Sequence, residues 1–577
     1  MNKDEKKNIF RIFPEEMMEK VRKDERSRAL LTPQKIVWET RERNAQVLHS
    51  EMLLETRAGQ ISLESKDPCI MVNDGNTASV LLDFGREVHG GILLSVWKES
   101  TGKGARIRVR FGESVGEAMS ELGGTTNATN DHATRDMIVT VGSMSMNPIG
   151  ETGFRFVRID FLEPGHRLEI KTIQAILIYK DLVYQGSFRC SDPLLNRIWD
   201  TGAYTVHLNI QEYIWDGIKR DRLVWAGDLH PEIMAIRTVF GYEKTVPKTL
   251  DFVRDETPLP GWMNGFPAYS MWWAIIQHDW FWYTGDIEYL KKQKEYLKGL
   301  ADQMSTAIDE RGKDITPETR FVDWPSKAAP DVVDAGLQAI HIMAAERMRY
   351  LFEILNEDHY AKKCAEDVKK MMQYKVDCHK VKQAAALLVL AGIEDPEKIN
   401  QEILSKNGSR GVSTFMGYYI LSAMAEAGNF RGCLDCVREY WGGMLALGAT
   451  SFWEDFDIEW MKNAQPIDQM QEEGKIDVHG SYGGYCYSGY RHSLCHGWAA
   501  GVTPWMSEYI LGVKILEPGC RRLRISPRLV DLEYAEGTFP TPMGSVRISH
   551  KKNLDGTVES VVFAPEGITV EMGTNER

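Results

Sequence analysis

A multidomain α and β fold follows from the order of patterns along the chain. It comprises an (α/α)6 helical barrel at 186–512, an N-terminal region with a β-sandwich at 1–185, and a small C-terminal β-domain at 513–577. Three observations predict it. Apolar and polar residues alternate with period two from about Val47 to Gln185; helical segments follow one another for about three hundred residues from Gly186; strand signals return after Gly512.

Composition sets the bounds. At 577 residues the chain is too long for one ordinary core, and its 43% hydrophobic share is that of a globular protein. A net charge of −13, with no stripe of Lys and Arg, argues against nucleic acid as a partner. The start MNKDEKKNIF is charged where a secretory signal needs an apolar run. The longest later apolar stretch, AAALLVLAGI, is too short to span a bilayer, so no membrane role is expected. Nine scattered cysteines suit a reducing compartment, and the protein is expected to be cytoplasmic. The one CxxC, Cys433 to Cys436, lies in a helical pattern without a second Cys/His pair at zinc spacing; it reads as helix packing.

Taken in order, the first forty-odd residues look helical and irregular. Strand alternation is plain in ARIRVRFGES, with turn residues in LDFGREVHGG, and the spacing suggests a sandwich. The polar stretch GGTTNATNDHATRD reads as a loop leaving it. At SDPLLNRIWDTGAYTVHLNI the pattern switches: Ser191 or Asp192 is an N-cap and Pro193 the first helical residue. Helices are then expected near Pro193, Asp228, Glu243, Ala268, Asp286, Asp334, Glu357, Lys380, Asp395, Ser413, Asn429 and Cys495. Twelve antiparallel helices close as two concentric rings of six, with a pocket at one end lined by the loops between them. After RRLRISPRL, the Asp555-Gly556 pair marks a hairpin between alternating runs.

The chemistry concentrates in WDGIKRDRLVWAGD, where Asp216, Asp221 and Asp228 are interleaved with Lys219, Arg220 and Arg222 and bracketed by Trp215 and Trp225. Sixteen tryptophans recur in short polar-flanked clusters such as FVDWPS and SFWEDFD. Indoles beside carboxylates suit a ligand with apolar faces and hydroxyl edges, as sugars have. Clustered carboxylates raise one another's proton affinity, so one can stay protonated while cations keep the others ionised; this is the pairing glycosidic cleavage needs. The same spacing also suits a structural ion-pair network at a helix start. Asp323 either fixes Trp324 or touches substrate, and at least one of Trp272 and Trp273 is core. His496, beside Cys495, reads as a neutral imidazole contacting ligand rather than a metal ligand.

DGIKRDRLVWAGD resembles the signature of the α-L-rhamnosidases of glycoside hydrolase family 78. GATSFWEDFD (448–457) is similar to a second family block, SLCHGWAAG (493–501) to a third, GSFRCSDPLLNRIW to the start of its barrel, and LEPGCRRLRISPRLVDLEYAEGTFPTPMGSVRI to its C-terminal β-domain. The likeness covers most of the chain in the right order. It implies that Asp221 is the general acid and Glu454 the base activating water, with inversion at the anomeric carbon. It implies further that Asp216, Arg220, Trp225, Asp228, Trp324 and His496 bind and shape the sugar pocket. Many members carry Glu where Asp221 stands, so this shorter acid must approach the leaving oxygen more closely; the Asn before the pocket His is Cys495 here. The expected substrate is a small-molecule rhamnoside, with no cofactor and no metal. A homodimer through one β-face is a possible assembly. Two other readings are a phosphorylase or lyase on the same barrel, and a non-catalytic sugar-binding protein on a degenerate scaffold.

Overall fold

The structure is a computed structural model that describes Met17 and residues 20–573, apart from 65, 318, 485 and 486. Its N-terminal domain is built around the long strand Ala78–Glu99, which pairs antiparallel with Ser145–Phe161 along most of its length. The two halves of that strand have different further partners, Lys35–Glu39 at Val80–Asp83 and His166–Tyr179 at Gly90–Glu99. Gly90 makes the second pairing possible, since a Cβ there would come 1.8 Å from the Ile176 carbonyl oxygen. Alternate residues feed one apolar cluster around Phe84, Phe111 and Phe154. Their edge-on contacts, with centroids 5.8 and 4.9 Å apart, add about 0.5–1.5 kcal/mol each beyond area burial.

One expectation is overturned. Within the first forty-odd residues, Ser27–Leu31, Lys35–Glu39 and Arg41–Glu42 are strands rather than helix. Ser27–Leu31 pairs with Ala175–Tyr179 and Lys35–Glu39 with Lys35↔Asp83 through Glu39↔Val80. The backbone groups that fix these segments come from strands far along the chain, which local propensity does not register. Residues 1–16 lie outside the described part.

From Pro193 onward the chain alternates outer and inner helices. The inner ring is Leu229–Val239, Pro267–Thr284, Pro330–Ile354, Lys382–Leu390, Gly417–Glu426 and Val502–Tyr509; each packs on the next and the last closes on the first. These helices are apolar on nearly all sides, as PAYSMWWAIIQHDWFWYT shows, because neighbours surround them. Outer helices carry a single apolar stripe. In Ile287–Thr306 it is Tyr289, Leu290, Leu297, Leu300, Ala301 and Met304. Alternation makes the inner helices run the same way, so the segments that lead into them gather at one end of the barrel. Trp272 and Trp273 are both buried core, as are Cys433 and Cys436, and the eight described cysteines are free.

The last domain has a sheet of Tyr534–Thr541, Gly544–Lys552 and Val558–Phe563. Asp555-Gly556 sits in the hairpin that pairs Lys552 with Val558. Ser187–Cys190, ahead of the first barrel helix, joins this sheet as an edge strand against Tyr534–Thr541. The Tyr283 hydroxyl donates to Pro540 O at 3.1 Å and the Trp282 indole to Ile515 O at 3.2 Å, seating the domain on the barrel. Among the described residues no helix is long and apolar enough to cross a membrane.

Candidate active site

Residues 215–228 form an irregular loop at the barrel end where the inner helices begin. Asp216 anchors it: its N–H donates to Leu223 O at 3.1 Å, its Oδ1 accepts from Leu223 N–H at 3.0 Å, and its carbonyl accepts from Gly497 N–H at 2.8 Å. Asp221 and Arg222 follow with φ of 54° and 52°, left-handed geometry that costs a non-glycine residue roughly 1–3 kcal/mol. Contacts from outside the loop hold that strain. Arg222 donates to His132 O at 2.8 Å, and Arg220 Nε to Arg491 O at 2.7 Å.

Arg220 joins the two key carboxyls. One terminal nitrogen lies 2.8 Å from Asp221 Oδ2 and the other is paired with Glu454 Oε2, while the Tyr487 ring covers the guanidinium at 3.6 Å. Glu454 is buried, and Ser493 N–H also donates to its Oε2 at 3.1 Å. Its carbonyl accepts from the Trp498 indole at 2.9 Å and the Thr414 hydroxyl at 2.5 Å. Burial works against its ionisation, but Arg220 and the imidazoles of His496 and His492 outweigh it and hold the carboxyl well below the usual range.

The remaining carboxyls lie deeper. Asp228, at the start of helix Leu229–Val239, takes the His496 imidazole at 3.1 Å and the Tyr269 hydroxyl at 3.4 Å. Burial pushes Asp228 and Asp216 upward, Asp216 strongly, with His496 opposing. Burial lowers the proton affinity of His496, but Glu454, Asp228 and Asp216 outweigh it and hold the imidazole above its usual range. Asp455 is pushed up to about 7 by burial and by the charge on Glu454. Glu232, one turn into the same helix as Asp228, is buried against Gly497; neither carboxyl oxygen has a hydrogen-bond partner among the described residues. Burial and then Asp228 and Asp216 raise it well above the ordinary value.

Beneath the loop, the β-domain supplies a charged platform. Lys219 Nζ lies 3.0 Å from Glu113 Oε2 and 3.4 Å from Glu117 Oε1, and donates to the carbonyls of Tyr490 and His492 at 2.7 and 2.6 Å. Glu113 also accepts from Leu494 N–H at 2.6 Å, which links the platform to the segment carrying His496. Glu113, Glu117 and His479 converge closely enough to ligate a cation, but the Lys219 ammonium occupies the space between them.

Of the residues singled out from sequence, Asp216, Arg220, Asp221, Asp228, Glu454 and His496 meet at this barrel end. Trp225 is half-buried there against Phe266 and Tyr269, and Trp324 against Phe321. Asp323 accepts from Ser413 at 2.9 Å and from Ser326, which fixes the turn bearing Trp324. Sequence reasoning missed His132, whose Nδ1 stands 3.3 Å from Asp221 Oδ1, together with Glu113, Glu117, Glu232 and Asp455. The loop carrying His132 was legible as a loop; nothing local says where it lands.

Three family models match successive stretches. They are a bacterial α-L-rhamnosidase concanavalin-like domain at 73–179, a bacterial α-L-rhamnosidase six-hairpin glycosidase domain at 184–378, and a bacterial α-L-rhamnosidase C-terminal domain at 512–575. An α-L-rhamnosidase of Alteromonas sp. is 23% identical over 549 residues, covering 85% of this chain and 55% of that protein. The chain thus spans about half the length of that relative. Among solved structures, the family 78 rhamnosidase of Bacillus sp. GL1 is similar with a TM-score of 0.74 at 20% identity, covering 91% of this chain and 55% of its own. A rhamnosidase from Klebsiella oxytoca with rhamnose bound gives 0.62 at 17% identity, covering 83% and 95%. At these identities the structures speak to the fold.

Proposed function

The chain belongs to the bacterial α-L-rhamnosidase family, and from that premise we propose that it is an inverting, exo-acting glycoside hydrolase removing terminal α-L-rhamnosyl residues from oligosaccharides or glycosides. The observation that carries the reading is the single guanidinium of Arg220 set between Asp221 and Glu454. The guanidinium holds Glu454 in the ionised form that a general base requires, and sets a second carboxyl, that of Asp221, on its other terminal nitrogen.

In this reading Asp221 is the general acid and Glu454 the general base. Arg220 and Ser493 both bind Glu454 through Oε2, which leaves Oε1 to receive the proton of the attacking water. The water oxygen bonds to the anomeric carbon, the glycosidic bond breaks, and the leaving oxygen takes the proton of Asp221, giving β-L-rhamnose. Asp216 and Asp228 accept from sugar hydroxyls, with His496 orienting Asp228. Trp225 and Trp324 supply apolar walls. The exposed Val561 and Phe563 on the outer strand of the C-terminal sheet support a dimer through a β-face, and the free cysteines support a cytoplasmic setting.

The test is turnover of an α-L-rhamnoside by wild type, Asp221→Asn and Glu454→Gln, following the product anomer by NMR. We expect β-L-rhamnose first and a fall in kcat of about 10²–10⁴-fold in each variant. An inactive, folded wild type, or α-L-rhamnose as first product, would sink the proposal.

A further inference from the structure

Tyr487 stands between two guanidiniums. Cζ of Arg220 lies 3.6 Å from its ring centroid and Cζ of Arg491 lies 4.0 Å from it. Two guanidiniums cannot share one ring face at those distances, so they cover opposite faces. Like charges so close need separate counter-charges. Arg220 has Asp221 and Glu454. Arg491 has Asp131, with Nη2 at 2.6 Å and Nε at 2.7 Å from the same carboxyl oxygen. The two arginines are also joined directly, because the Arg491 carbonyl accepts from Arg220 Nε at 2.7 Å.

Asp131 lies 360 residues before Arg491, in the loop at 123–136 of the N-terminal β-domain. That loop is fastened to the segment after Tyr487 at further points. Asn127 Nδ2 donates to Ser488 O at 3.0 Å and Tyr490 N–H to Thr126 O at 2.8 Å. Gly489 allows this approach, since a Cβ there would come 2.2 Å from the same Thr126 oxygen. His132, the residue after Asp131, contacts Asp221 at 3.3 Å. Two adjacent residues of the β-domain thus reach both ends of the arrangement around Arg220.

We propose that Asp131, Arg491 and Tyr487 are positioning residues for Arg220, and that through them the N-terminal β-domain sets the geometry of the base Glu454. The inference rests on the glycoside hydrolase reading above. A guanidinium is a planar group on a flexible stem. The Arg491 carbonyl and the two carboxyls fix it within its plane, and the Tyr487 ring resists tilting out of that plane. A tilted Arg220 would leave Glu454 to burial, which favours the protonated form, with the imidazoles of His496 and His492 opposing and the carboxyls of Asp228 and Asp455 close by. Asp131 completes the arrangement by cancelling the charge that Arg491 brings to the far face of the ring. All three act through Arg220, which meets the reacting carboxyls.

Tyr487→Leu removes the ring and keeps every charge. On 4-nitrophenyl α-L-rhamnoside we expect kcat to fall about 10–100-fold with KM little changed, and the acid limb of kcat/KM to move upward. Tyr487→Phe keeps the ring face and should retain both the wild-type kcat and the wild-type limb. Asp131→Asn, at a partly exposed position, tests the far end of the arrangement independently of any loss of fold in Tyr487→Leu. It should lower kcat several-fold, and the double variant should lose less than the product of the two single losses. Melting midpoints establish that each variant is folded. Wild-type kcat in Asp131→Asn, an unmoved acid limb in folded Tyr487→Leu, a Tyr487→Phe as impaired as the leucine variant, or losses that multiply would each refute the inference and leave the hydrolase reading standing. If the folded wild type turns over no rhamnoside, both fall.

Discussion

Arg220 donates from Nη2 to Oε2 of Glu454 across 234 residues of sequence, and the same guanidinium touches Asp221 at 2.8 Å. The contact sets the charge of Glu454, since burial alone pushes a carboxyl the other way.

Arg220 should therefore control the acid side of the pH profile. Glu454 is held below its ordinary value of 4.5, with Arg220 the largest lowering influence. Its ionised form, and the stability that form brings, is present above that value and lost only as pH falls through the depressed one. Wild-type kcat/KM should keep its acid limb below pH 4.5, and Arg220→Met should move the limb upward. Initial rates across pH 3–8 decide it; an unmoved limb would mean that Arg220 does not tune the base.

Glu232 works in the opposite sense. Its folded-state proton affinity is raised, so above pH 4.5 the unfolded chain ionises this group while the folded chain keeps it neutral, and stability is lost as pH rises. Glu232→Gln removes that linkage. The thermal midpoint of the variant relative to wild type should climb between pH 5 and pH 8, and a flat difference would show that Glu232 is ionised in the fold.

Lys219 should matter more than a surface lysine. It is buried between Glu113 and Glu117, and removing one member of such a group strands the others at a cost of about 3–5 kcal/mol. Lys219→Met should lower the unfolding midpoint and activity together. Adding Glu117→Gln should recover part of the midpoint, and additive losses in the double variant would argue against coupling.

Gly497 tests the floor of the site. A Cβ there would come 1.5 Å from Glu232 Oε1, so Gly497→Ala must displace that carboxyl or the backbone that bonds Asp216 O. We expect a variant destabilised by about 1–3 kcal/mol and partly restored by Glu232→Ala, read from melting midpoints. Equal midpoints for wild type and Gly497→Ala would mean that the carboxyl moves freely.

The sequence by itself determined the order of the architectures and most of the candidate site. Helical periodicity and its caps are written within ten or twenty residues, so most barrel helices were legible within a few residues of their observed starts, while the last, expected near Cys495, begins at Val502. Asp216, Asp221 and Asp228 were legible together because one loop carries all three. Tertiary structure alone decided the rest. The strands before residue 43 exist because Ala175–Tyr179 and Val80–Asp83 offer them unpaired backbone, a condition no local pattern contains. Lys219 finds Glu113 and Glu117, and Asp221 finds His132, only because the β-domain packs against the barrel mouth. Charge and hydrogen bonding act over a few ångströms in space, and separation along the chain does not report that distance.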